Sequence, residues 1–65
     1  MNTDKKERLI RVILDAVPMN EGERQRQIYN YMNNGWGVEQ VFKIHENVIQ
    51  PQYLEQVKEE LKKNK

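Results

Sequence analysis

Apolar positions along this chain recur every three or four residues, in four stretches. They are separated by Pro18, by the corner Asn33-Asn34-Gly35-Trp36-Gly37, and by Pro51. Such spacing belongs to amphipathic helices. It predicts a first helix over about residues 4–17, capped by Thr3 and ended by Pro18, which pushes its predecessor away from helical angles. Asn20 is placed to cap a second helix running to about residue 33, with Glu23 completing a capping box. Gly35 suits the left-handed position after that helix, and Trp36 or Gly37 opens a third reaching about residue 47. Pro51 fits the first turn of a fourth helix, where its missing amide costs nothing. That helix runs to about residue 62, and its lysine-rich end complements its dipole.

Projecting these segments at about 100° per residue sorts their faces. On the second helix Ile28, Tyr31 and Met32 share a side, with Arg24 at its N-terminal end. On the third, Val38, Val41, Ile44, His45 and Val48 line one side, while Glu39 and Lys43 form an exposed i,i+4 pair. On the fourth, Leu54, Val57 and Leu61 make a narrow stripe flanked by Tyr53. The first helix differs: Leu9, Ile10, Val12, Ile13, Leu14, Ala16 and Val17 spread over an arc of roughly 200°. An arc this broad belongs to a central helix, or to one whose second flank meets another chain. Val12 and Leu14 are the candidates for that second flank.

The expected fold is all-α: one domain over residues 1–65, with four short helices in a compact orthogonal or bundle-like arrangement that contains a helix-turn-helix. Its expected centre is Leu9, Ile13, Val17, Ile28, Met32, Val41, Ile44, Leu54, Val57 and Leu61.

Composition narrows the function classes. With 65 residues, 37% of them hydrophobic and 32% charged, the core must be small. The chain has no cysteine, which removes disulfides, thiolate zinc sites and thiol nucleophiles and fits a reducing, cytoplasmic setting. Neither a signal peptide nor an apolar run of bilayer length is present in the sequence, so no membrane partner is expected. The net charge is +1, with six Lys/Arg against five Asp/Glu in residues 1–33 and five against five in residues 34–65. That balance is not the footprint of a strong nucleic-acid binder, though folding can still gather a basic face.

Raw material for catalysis is scarce. There is no serine, and the lone threonine is the expected cap at position 3. Glu55, Glu59 and Glu60 read as a solvated face interleaved with lysines. No Gly-rich phosphate loop follows a strand, and no strand is predicted. A single histidine without cysteine or a second histidine makes no protein metal site, so His45 reads as a hydrogen-bonded, partly buried structural residue. No enzyme activity, cofactor, metal or small-molecule substrate is expected.

What remains is binding. Trp36 either seals the core between the second and third helices or stands on its corner as a binding anchor. Tyr29 and Phe42 lie on helix flanks, as rim packing or as part of a binding surface. The leading expectation is a small non-catalytic regulatory or adaptor protein. It would bind a protein partner, or itself as a homodimer, through an apolar helix surface containing Val12, Leu14, Trp36, Tyr29 and Phe42.

The alternative is a small DNA-binding regulator. Gly35-Trp36-Gly37-Val38-Glu39-Gln40-Val41 resembles the opening of helix-turn-helix units, although His45-Glu46-Asn47 stands where their tight turn carries a glycine. On that resemblance Gln52 and Gln56 would read adenine edges, and Arg24, Arg26, Lys43 and Lys58 would contact phosphates. A looser resemblance links Ile49, Tyr53 and Leu61 to the helical hairpins of small oligomerising modules.

Overall fold

Helix ends in this protein are set by local chemistry that the structure, a computed structural model, makes explicit for residues 2–63. Four α-helices follow one another: α1 (Asn2–Asp15), α2 (Glu21–Asn33), α3 (Val38–His45) and α4 (Pro51–Lys63). A 3-10 turn, Glu46–Val48, joins α3 to α4, and no strand occurs among the described residues. α1 already includes Thr3, so Thr3 is a helical residue and not the cap expected there. α1 also stops two residues early. Ala16 and Val17 leave it in a tight turn, their amides donating to Ile13 and Leu14 carbonyls at 3.1 Å each.

The Asn20 side chain accepts from the Glu23 amide at 2.8 Å, as an N-cap should. The reciprocal half of the expected box is replaced, because the Glu23 carboxylate turns forward to Arg26 and to Gln27. At the other end of α2, Gly35 has φ +71, the left-handed angle that disfavours any residue with a Cβ. The Trp36 amide reaches back to the Tyr31 carbonyl at 3.0 Å and the Gly35 amide to that of Met32 at 3.4 Å. This pair of bonds is the Schellman motif, and it satisfies two carbonyls that a bare helix end would leave open. α3 starts immediately afterwards, with the Gly37 amide donating to the Gln40 side chain at 2.7 Å.

α1 packs against each of the other three helices. Its broad apolar arc is thus explained mainly by centrality: Ile10, Ile13 and Leu14 are fully buried, together with Val41 of α3. Leu9, Ala16, Val17, Ile28, Ile49 and Val57 complete the buried set, and Met32, Leu54 and Leu61 pack on it half-buried. Each fully buried aliphatic side chain contributes about 1.5–3 kcal/mol relative to exposure.

The core differs from the expected centre: Ile10, Leu14, Ala16 and Ile49 join it, while Ile44 leaves it and Val48 turns out to solvent. Ile44 is 58% exposed. With only eight residues, α3 turns Val38, Val41 and His45 inward with Phe42 as their flank, which leaves Ile44 more than about 100° from the centre of that face. Val48 is exposed because it falls in the 3-10 turn, where the 100° register no longer applies.

Candidate binding grooves

Leu14 is the first candidate to relocate. It has no exposed surface, so it belongs to the core and not to the second flank of α1. Val12, two positions earlier and about 200° around the helix, stays half-buried. It lies in a trough of about 480 Å³ between α1 and α4. Val12, Asp15 and Ala16, at helical spacing i, i+3, i+4, form one wall; Tyr53, Gln56, Val57 and Glu60 of α4 form the other. Tyr53 is 41% exposed, so this trough has an aromatic lip above an apolar floor. Its two carboxylates are engaged: Asp15 lies 3.4 Å from Arg24, and Glu60 3.9 Å from Lys63.

A second groove, of about 310 Å³, runs along the other side of α4. Glu39, Phe42 and Lys43 of α3 face Lys58, Leu61 and Lys62 of α4, again at i, i+3, i+4 on each helix. Phe42 and Leu61 make the floor, both half-buried, and the three lysines are exposed along the rim. The fold thus puts Phe42, a candidate protein contact, into one groove with Lys43 and Lys58, candidate phosphate contacts. The signal for this is present in the sequence as two matching triplets on separate helices, but only the placement of α3 and α4 on α1 brings them face to face.

The remaining candidates scatter. Arg24 is a structural residue: its side chain is 14% exposed and its guanidinium closes the C-terminal end of α1. Nε donates to the Leu14 carbonyl at 3.1 Å, and Nη2 to those of Met19 at 2.9 Å and Val17 at 3.4 Å. Nη1 reaches Glu21 at 2.8 Å. A planar donor fork suits several carbonyls at once, and it leaves nothing for a phosphate. Arg26 is paired with Glu23 on the exposed side of α2. Gln52 donates to the Gln50 side chain at 3.1 Å, while Gln56 lies in the α1/α4 trough, across the helix from Lys58. The six residues of the DNA reading therefore share no common face. Tyr29 is 66% exposed and lines neither groove.

Trp36 packs on the core at the α2–α3 corner, its ring centroid 5.0 Å from that of Tyr31. The Tyr31 hydroxyl in turn shares a 2.9 Å hydrogen bond with Nε2 of His45, whose ring stands edge-on to it at 6.0 Å. Burial lowers the His45 pKa and raises that of Tyr31, so both neutral forms are favoured. At the start of α2, Glu21 accepts from Arg11 at 2.6 Å, from Arg24, and from Gln25 at 2.9 Å. Those bonds, Arg11 first, hold its carboxyl down at about 2.

No helix among the described residues is long and apolar enough to cross a membrane. No protein-family model, curated protein or solved structure matches the chain.

Proposed function

We propose that this is a small non-catalytic regulatory or adaptor protein of the cytoplasm that acts by binding another protein, a second copy of itself included. The contact surface in this reading is the α1/α4 trough. Val12 carries the argument: it is the residue of the α1 arc that stays half-buried on an open concave surface, after α2, α3 and α4 have covered Leu9, Ile10, Ile13 and Leu14. Tyr53 on the opposite lip supplies the amphipathic aromatic that protein interfaces favour. The scarcity of nucleophiles and the absence of cysteine support the non-catalytic and cytoplasmic parts of the reading.

The test compares Val12→Glu with Leu14→Glu. The first is expected to stay helical with little change in thermal midpoint, because the new carboxylate reaches solvent from the trough. The second buries an unpaired charge and is expected to unfold the chain. Affinity capture and light scattering then follow on folded Val12→Glu. A protein retained by the natural chain and lost with the variant, or a dimer converted to monomer, supports the reading. Equal retention by both chains would remove it, and salt-sensitive retention of duplex DNA by both would replace it with nucleic-acid binding.

A further inference from the structure

We propose that the α3/α4 groove docks a short acidic amphipathic helix, seating its apolar side chains on Phe42 and Leu61 and its carboxylates against Lys43, Lys58 and Lys62. This goes beyond the trough reading, because it concerns the opposite side of α4.

The chemistry of the groove selects the occupant. Its floor is a phenylalanine and a leucine, and its rim sets three ammonium groups against one carboxylate, Glu39. Among the described residues, none of the three lysines forms an ion pair, so the i,i+4 pair expected between Glu39 and Lys43 does not form, whereas Arg11, Arg24, Arg26 and Lys63 are all paired. Beyond the first two turns of α1, the described cations left available for an outside partner are thus gathered around apolar surface. Lysines also keep their stems on apolar ground while the charged heads stay in water, which widens the floor without desolvating the charge.

Shape discriminates among anionic partners. A bilayer is entered by apolar groups that protrude, and here Phe42 and Leu61 are recessed between two helices. A DNA duplex presents hydrated phosphates with no apolar group to fill the floor, and it gains most from many cations on one face. A helix carrying apolar residues one turn apart, flanked by Asp or Glu, matches both the floor and the rim. Phe42 and Leu61 on facing helices, with lysines along the rim, form the kind of groove in which such a segment lies.

The experiment is a titration of the isotopically labelled full chain, followed by amide chemical shifts, with a synthetic helix bearing Leu at i and i+4 among glutamates. Shifts are expected to concentrate on Phe42, Lys43, Lys58, Leu61 and Lys62. Two control peptides replace Leu by Ser, or Glu by Lys, and both are expected to lose binding. The double charge reversal Lys43→Glu/Lys58→Glu alters only exposed side chains and should weaken the acidic peptide by roughly tenfold or more. Val12→Glu should leave its affinity unchanged, so failure here is separable from failure of the trough reading. The proposal is overturned by equal binding of the lysine peptide or by shifts centred on Val12 and Tyr53. It is overturned too if the same groove residues respond more strongly to duplex DNA, to phosphatidylglycerol vesicles, or to raising the chain's own concentration.

Discussion

Trp36 sets its ring, tilted, against the residue whose carbonyl its own backbone caps. Its amide donates to Tyr31 at 3.0 Å while the two rings lie 5.0 Å apart at 54°. The closing of α2 and the packing of the corner are therefore one event, since the C″-to-C3 apolar contact accompanies the Schellman bond. Replacing Trp36 with alanine keeps the bond and removes the contact. The expected loss is about 2–4 kcal/mol, less than for a wholly buried tryptophan because Trp36 retains some exposure. Trp36→Phe should recover most of it. Urea unfolding followed by circular dichroism measures both.

Gly35 offers a cleaner backbone test. Nothing lies within 4 Å of where its Cβ would stand, so Gly35→Ala meets no neighbour, and its cost comes from holding φ at +71. That cost is about 1–2 kcal/mol, and Gly35→Asn should cost less. Equal denaturation midpoints for the natural chain and the Gly35→Ala variant would show that the corner has rearranged.

Arg24→Ala is expected to be among the most damaging changes to any charged residue here. It strips donors from the carbonyls of Leu14, Val17 and Met19 together. A loss of about 2–3 kcal/mol follows from the bonds to a charged donor. Arg24→Lys should restore only part, because one ammonium cannot span three carbonyls. Thermal midpoints of the two variants decide it: a domain this small shifts by about 4–8 °C per kcal/mol.

Acid should weaken the fold in two stages. Burial sets the His45 pKa below its ordinary 6.5, so the unfolded chain takes up that proton first and stability falls as pH drops from 6.5 through the folded value. Glu21, held down from 4.5 to about 2, contributes stability that is complete above 4.5 and is lost as pH falls towards 2. Urea midpoints measured across this range should lose the upper stage in His45→Gln and shrink the lower in Glu21→Gln, where Glu23, its carboxyl also held down by Arg26, keeps the rest.

The parts of the fold legible in the sequence are those decided within a few residues. Asn20, Gly35, Gly37 and Pro51 stand where caps and turns need them, and the starts of α2, α3 and α4 and the end of α2 fall on or near those residues. α3 instead stops at His45, ahead of its expected end, in a 3-10 turn. What depends on how helices sit against one another was not legible. Val12 and Leu14 belong to the same apolar arc, and only the placement of α2, α3 and α4 separates the half-buried one from the sealed one. Arg24 reads as a surface cation because its carbonyl partner on Leu14 is ten residues away, beyond any periodic pattern. The groove of Phe42 and Lys58 joins residues on two helices whose relative position no spacing rule supplies.

The hub position of α1 sets an order in time. During synthesis α1 leaves the ribosome ahead of α2, α3 and α4, each of which packs against it. Until α4 arrives, Val57 is missing from the cluster around Ile13 and Leu14, and greasy surface stays open on the nascent chain. The apolar cluster closes only when α4 packs on α1, so a chain stalled before Pro51 is a ready client for chaperones and proteases.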